Sequence, residues 1–397
     1  MSAIDPEFVR KFDIYDPAVA ADPHAAWKQL REQCPVAHSE AQGGYWVLTR
    51  YADVVSAAAD PRHYSSKSIT VPRQLGGTEL ADRPPITYDP PRHIAYRRLV
   101  LPGFSTRQAL RWRPEMERLA RTAIESFIGA GQCDAASQFA RAIPVGVMCS
   151  IYGAPTALEP QFRSWAHDIF RSDDLTRGQR AIEEISAYFL AEIEDRRAHP
   201  GEDMVSLLLE SEVDGQRLTE PELLGALTLI LVAGLDTVWS VLSNTLRYLA
   251  TDADARRRLA AEPALIPTAV EEFLRVFAPA AVARVTTCPV AVDGVEIGAD
   301  ESVLLAFPAA NRDPEMFPEP DRVILDRASN KHVAFGYGPH RCLGSALARL
   351  ELEVALTEWL RAIPDFELEP DCKIEYSAGQ NWGPNAVPVR FPARPGA

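Results

Sequence analysis

The stretch Phe335-Gly336-Tyr337-Gly338-Pro339-His340-Arg341-Cys342-Leu343-Gly344 holds the most specific chemistry in the chain. One cysteine stands behind a glycine-rich, proline-stiffened turn and directly before a helical pattern, Ala346-Leu347-Ala348-Arg349-Leu350-Glu351. Glycine tolerates φ > 0 and lets backbone come close to a bulky group. A cysteine at a helix N-terminus meets free N–H groups and the positive end of the helix dipole, which favour thiolate over thiol. Such a thiolate is a ligand or a nucleophile; a cysteine without that setting merely fills a core.

Three smaller groupings could act with it. Ala233-Gly234-Leu235-Asp236-Thr237 sits in the middle of a long apolar helical pattern. Glycine costs a helix interior about 1 kcal/mol, and a buried acid beside a hydroxyl needs partners. Gly234 serves either close helix packing or a functional break, and Thr237 either bonds back to a carbonyl one turn earlier or faces a ligand. His93 and Arg97 lie four apart on one helical face, as a solvated basic turn or as an anion-holding pair. Glu272 and Arg275 stand at i, i+3, which on a surface is worth only a few tenths of a kcal/mol.

The elements that must position these residues are mostly helical. Helical periodicity covers 25–33, 51–59, 113–128, 137–152, 159–170 and 179–199, with a break at 173–178. Residues 35–40 and 45–50 read as a hairpin around Gly43-Gly44, and 61–91 as a long loop punctuated by Pro and Gly pairs. Thr219-Glu220-Pro221-Glu222 opens a helix that continues to about residue 250 and should be buried. An extended segment at 278–286, short strands at 290–295 and 302–306, a helix at 342–363 and a tail at 374–391 complete the chain. No repeat, linker or composition shift marks a second domain, so 1–397 reads as one large domain with 1–14 as an N-terminal extension.

Apolar residues make up 47% of the 397, enough for an ordinary soluble core. A formal charge of −14 leaves no basic excess to neutralise phosphates, which argues against nucleic acid. Six scattered cysteines without a CxxC pair indicate a reducing compartment, and neither a signal pattern nor a membrane-length apolar run is present. A soluble, cytoplasmic, membrane-free monomer is expected.

The cysteine loop resembles the haem-binding signature of the cytochrome P-450 family at Phe335, Gly338, His340, Cys342 and Gly344. Motifs of that family follow in order from about Tyr15 onward. The resemblance implies a mainly α fold with small β-sheets, the haem lying between a long central helix and the Cys-containing proximal loop. It makes Cys342 the axial ligand of a haem b iron, where a thiolate favours O–O cleavage. By the same resemblance Phe335, Gly336 and Gly344 belong to the haem loop, and His93, Arg97, Arg284 and His340 reach the haem propionates. Ala233 and Gly234 leave room for dioxygen, while Asp236 and Thr237 handle its protons. Glu272 and Arg275 match the family's ExxR pair, with Arg322 as the expected third partner. Leu229, Val232, Ala281, Val282, Gln380 and Asn381 are the expected substrate contacts.

The implied reaction inserts one atom of O2 into a small, mostly apolar substrate and releases the other as water. No flavin, dinucleotide or iron–sulfur motif lies in the chain, so electrons from NAD(P)H must come from separate proteins, and an acidic 2Fe-2S or similar ferredoxin with its ferredoxin reductase is the natural donor. Arg98, Arg107, Arg111, Arg341 and Arg349 are the expected docking charges. The resemblance is nearest the bacterial camphor and terpene hydroxylase branch, implying hydroxylation or O-dealkylation of a terpenoid or aromatic. The rivals are a peroxide-driven peroxygenase or isomerase, and a non-catalytic haem sensor.

Overall fold

The computed structural model describes residues 5–73, 83–170 and 175–393. The chain forms two compact units that interleave along the sequence: one from Met1–Tyr96, Glu272–Cys342 and Tyr376–Trp382, the other from the remainder.

The first unit is built on a five-stranded sheet in the order Val36–Ser39, Tyr45–Leu48, Ser302–Leu305, Val282–Thr286, Tyr64–Ser65. The two hairpin strands pair antiparallel as expected, and Ser302–Leu305 joins Tyr45–Leu48 in parallel. Every residue of Ser302–Leu305 is buried, the mark of a strand covered on both faces. Phe12, Trp27, Tyr45, Val47 and Leu304 fill one side of the sheet, and Val54, Val303, Leu305 and Phe307 the other.

Glu272 anchors the loop crossings of this unit. Its carboxylate accepts two hydrogen bonds from Arg275 at 2.8 Å, and others from Arg327 at 3.0 and 3.1 Å, the Ile324 amide at 2.9 Å and Asn330 at 3.2 Å. Glu272 and Arg275 are both fully buried, not a surface pair. The third partner is Arg327. Arg322 instead gives its backbone carbonyl to Arg275 and turns its exposed guanidinium to Glu319. Burial alone would raise the Glu272 carboxyl, but the two arginines outweigh it and hold it below its ordinary value.

The second unit is mainly helical. Its long helix Glu220–Thr251 opens as the sequence predicts, with Glu222 accepting from the Thr219 amide at 2.9 Å. Around it stand Arg113–Glu125, Ala142–Ile151, Leu175–Ala198 and Ser345–Ala362, with the Trp359 ring in contact with both Phe139 and Phe366. Leu175–Ala198 begins earlier than the break at 173–178 predicts, and residues 171–174 lie outside the described residues. A π-helical turn, Ala135–Ala140, replaces the first part of the helix read at 137–152. The break expected at Gly234 is absent: the helix runs unbroken for 32 residues, about 48 Å. It is also the one helix among the described residues long and apolar enough to cross a membrane, and 67% of its most apolar window is buried.

Candidate active site

The loop before Cys342 is shaped by two glycines. Gly336 and Gly338 both have φ of +70°. At 338 a Cβ would also meet Ala58 O at 2.5 Å and Ala59 Cα at 2.9 Å, so only glycine lets the loop lie against the end of Tyr51–Ala59. The turn closes through the Cys342 amide donating to Phe335 O at 2.8 Å. Cys342 itself is exposed. The helix after it starts at Ser345 with Gly344 as N-cap. Cys342 therefore precedes the cap by two residues rather than occupying the first turn, and the helix dipole reaches it less directly than the sequence implies.

Beside this loop, in the same unit, the structure brings two histidines together. His93, 1% exposed, stacks on His340 with ring centroids 4.1 Å apart. Ser66 Oγ lies 3.0 Å from His340 Nε2. Asp89, a position the sequence reading passed over, accepts from the Ser66 amide at 2.8 Å and from the Ser65 hydroxyl. It could have been noticed as the acid that opens the His93 helix.

Arg284, on Val282–Thr286, is 5% exposed. Its one hydrogen bond among the described residues goes to Ala283 O at 2.8 Å, and it makes no ion pair there. Burial pushes its pKa down to about 10, with Asp89 the acid opposing that. A buried guanidinium with four donors unused calls for an anion. Arg97 follows His93 one turn later on Arg92–Val100, as expected.

The second unit supplies the long helix. Most of its central residues are buried, yet Leu229, Val232, Gly234 and Thr237 are half-exposed and Ala233 is exposed. Their spacing of three to four makes one accessible stripe on an otherwise buried helix. Asp236, 1% exposed, points off that stripe and accepts from Ser240 Oγ at 3.5 Å. Thr237 Oγ1 donates back to Ala233 O at 3.3 Å.

Gly234 has a packing role. A Cβ there would run into the Met148 thioether, with Cε at 3.2 Å and Cγ at 3.3 Å. Gly234→Ala is therefore expected to destabilise the protein by about 1–2 kcal/mol, because overpacking outweighs the gain of about 1 kcal/mol in helix propensity. In a Met148→Ala background the same change should become neutral or stabilising. A double-mutant cycle by urea unfolding measures this coupling.

Of the expected substrate contacts, Ala281, Gln380 and Asn381 come together in the first unit. The Ala281 amide donates to Gln380 O at 2.9 Å, and Ala280 bridges Asn381. Ala281 is buried and Val282 half-buried. The Gln380 side chain is engaged with backbone on several sides.

The comparisons with known proteins agree with this picture. The family profile described as Cytochrome P-450 matches residues 154–378. Mycinamicin IV hydroxylase/epoxidase of Micromonospora griseorubida is 35% identical over 372 residues, covering 91% of this chain and 94% of that protein. Vitamin D(3) 25-hydroxylase of Pseudonocardia autotrophica is 35% identical over 362 residues, covering 90% of each. The crystal structure of cytochrome P-450 CYP101C1 superposes with a TM-score of 0.89 at 32% identity, covering 96% of this chain and 97% of that one.

The fold and the relatives define a haem-thiolate monooxygenase. The chain belongs to the bacterial members of the cytochrome P-450 family. Haem and dioxygen use follow from that membership. The residues present fit the group: an accessible cysteine in a glycine-shaped loop, and a buried arginine lacking an anion.

Proposed function

We propose that this monooxygenase hydroxylates or O-dealkylates a compact, mostly apolar terpenoid or aromatic, with Cys342 as the iron ligand. The carrying observation is the accessible stripe on the long helix, in which Leu229, Val232 and Ala233 offer apolar surface and Thr237 alone a hydroxyl. Relatives named vitamin D(3) 25-hydroxylase and steroid C26-monooxygenase support a mostly apolar substrate.

When bound, the haem supplies the one-electron and oxygen chemistry that protein side chains cannot. Arg284, His93, His340 and Arg97 would hold its propionates, the arginines by paired N–H donors. Phe335, Gly336 and Gly344 shape the loop around the thiolate. Ala233 would leave the helix surface low where dioxygen must fit, and Gly234 lets the helix seat against Met148 beside it. Thr237 Oγ is held by a hydrogen bond of 3.3 Å, long enough to be exchanged for a better acceptor, and so can present its proton to the stripe. Asp236, buried one position away with Ser240 Oγ donating to it, would replace that proton.

Thr237→Ala is expected to leave haem content unchanged and to divert most NAD(P)H electrons to hydrogen peroxide. The ratio of product to NAD(P)H consumed measures it, and tight coupling in the variant would remove Thr237 from the proton path. A Soret-shift screen of terpenoids and aromatics tests the substrate class; response only to polar ligands would overturn it.

Electrons are assigned to an acidic 2Fe-2S ferredoxin and its NAD(P)H-dependent reductase, serving a cytoplasmic monomer that works as a single haem domain. Arg98, Arg107 and Arg111 are exposed in the second unit, and Arg341 is exposed in the first. Arg349 is committed to Glu271 by bonds of 2.6 and 2.9 Å and contributes less free charge.

A further inference from the structure

We propose that Gln380 determines ligand specificity without touching the ligand, by acting as a strut that fixes two wall segments, 69–71 and 281–283. This rests on the reading of Ala281 and Val282 as substrate contacts.

The base of the strut is rigid. The turn that carries Gln380 is pinned by the Gly379 amide donating to Ile14 O at 2.7 Å and by Trp382 Nε1 donating to Ala20 O at 2.8 Å. Gly379 has φ of +104°, and a Cβ there would meet Tyr15 Cε1 at 2.7 Å, so only glycine lets the turn lie this close to Tyr15. From this base Gln380 Nε2 donates to Ile69 O at 2.8 Å and to Ala281 O at 3.0 Å, while Oε1 accepts from the Val71 amide at 3.3 Å. Both amide hydrogens and one oxygen lone pair are thus spent on backbone.

The geometry demands this side chain. Asparagine is one methylene short. Glutamate would set a carboxylate against two carbonyl oxygens. Leucine would leave Ala281 O and the Val71 N–H without the partner they have now. Ile69 O keeps a second donor, the Ala283 amide at 2.9 Å, so the segment would loosen rather than detach. Its far side stays fastened, with Lys67 2.7 Å from Asp300 and Arg73 Nε donating to Ser302 Oγ at 2.8 Å. Loosening is therefore confined to the face toward strand Val282–Thr286.

The test uses the holoenzyme with Gln380→Leu and Gln380→Asn. Hydrogen–deuterium exchange should run about tenfold faster in peptides covering 66–73 and 280–285 in both variants, with the long helix unchanged. Soret titrations with imidazole and 4-phenylimidazole should show the affinity ratio moving about tenfold toward the bulkier ligand. Unchanged exchange overturns the strut. Faster exchange with an unchanged ratio overturns its role in specificity. A shifted ratio without faster exchange means that Gln380 meets the ligand itself, and also overturns the proposal. If Gln380→Leu fails to fold, Gln380→Asn carries both readouts. A wild-type protein with no Soret response to either imidazole would count against the haem reading, and the exchange data would still decide whether the strut exists.

Discussion

Cys342→Ser is expected to leave a folded protein whose ferrous carbon-monoxide complex lacks the red-shifted Soret band of thiolate ligation. Outer-shell partners of a metal already cost about 10–100-fold when mutated, so losing the ligand should cost more than about a hundredfold in turnover. The fold should survive because the loop is shaped by backbone. Gly336 and Gly338 set its path, and the closing bond from residue 342 to Phe335 O uses an amide that serine retains. Far-UV circular dichroism, haem content and the carbon-monoxide spectrum separate these effects. A red-shifted band persisting in the variant would mean that another group ligates iron.

The second large effect concerns stability. Glu272→Ala should lower the unfolding free energy by about 3–5 kcal/mol, the usual cost of orphaning buried charge. Arg275 and Arg327 would both lose their carboxylate, and they are 0% and 6% exposed at the side chain. By contrast, Arg322→Ala should cost under about 1 kcal/mol, because its pair with Glu319 is open to solvent. Urea titration compares the two, and equal losses would show that Arg322 shares the buried network after all. The pH dependence has a definite sign. Glu272 has a depressed pKa in the folded protein, so its contribution is present above the ordinary carboxylate value of 4.5. It is lost as pH falls from there through the folded value, and the alanine variant should show a flatter acid limb.

What could be read in advance was local. The Thr219–Glu222 box, the hairpin at Val36–Ser39 and Tyr45–Leu48, and the spacing of the cysteine loop are encoded within a few residues, and the structure carries each. Arg327 was missed because a salt bridge across 55 positions leaves no periodic trace, whereas Arg322 lay nearer to a familiar pattern. Asp89 and Ser66 escaped for the same reason: their significance lies in what the fold places beside His340. The type of Gln380 suggests a polar substrate contact, while the carbonyls its side chain reaches belong to segments about 100 and 310 residues away, beyond any local pattern. The need for glycine at 234 likewise comes from Met148, a neighbour that helix propensity cannot foresee.

On the reading that Arg284 holds a haem propionate, its guanidinium would link the stability of the fold to haem binding. A positive charge this buried costs stability unless an anion faces it, so an anionic partner would stabilise the folded chain. A ligand that binds only the folded form then acts as a late folding partner. The haem-loaded protein is then expected to resist urea better than the haem-depleted one, and less so in Arg284→Leu.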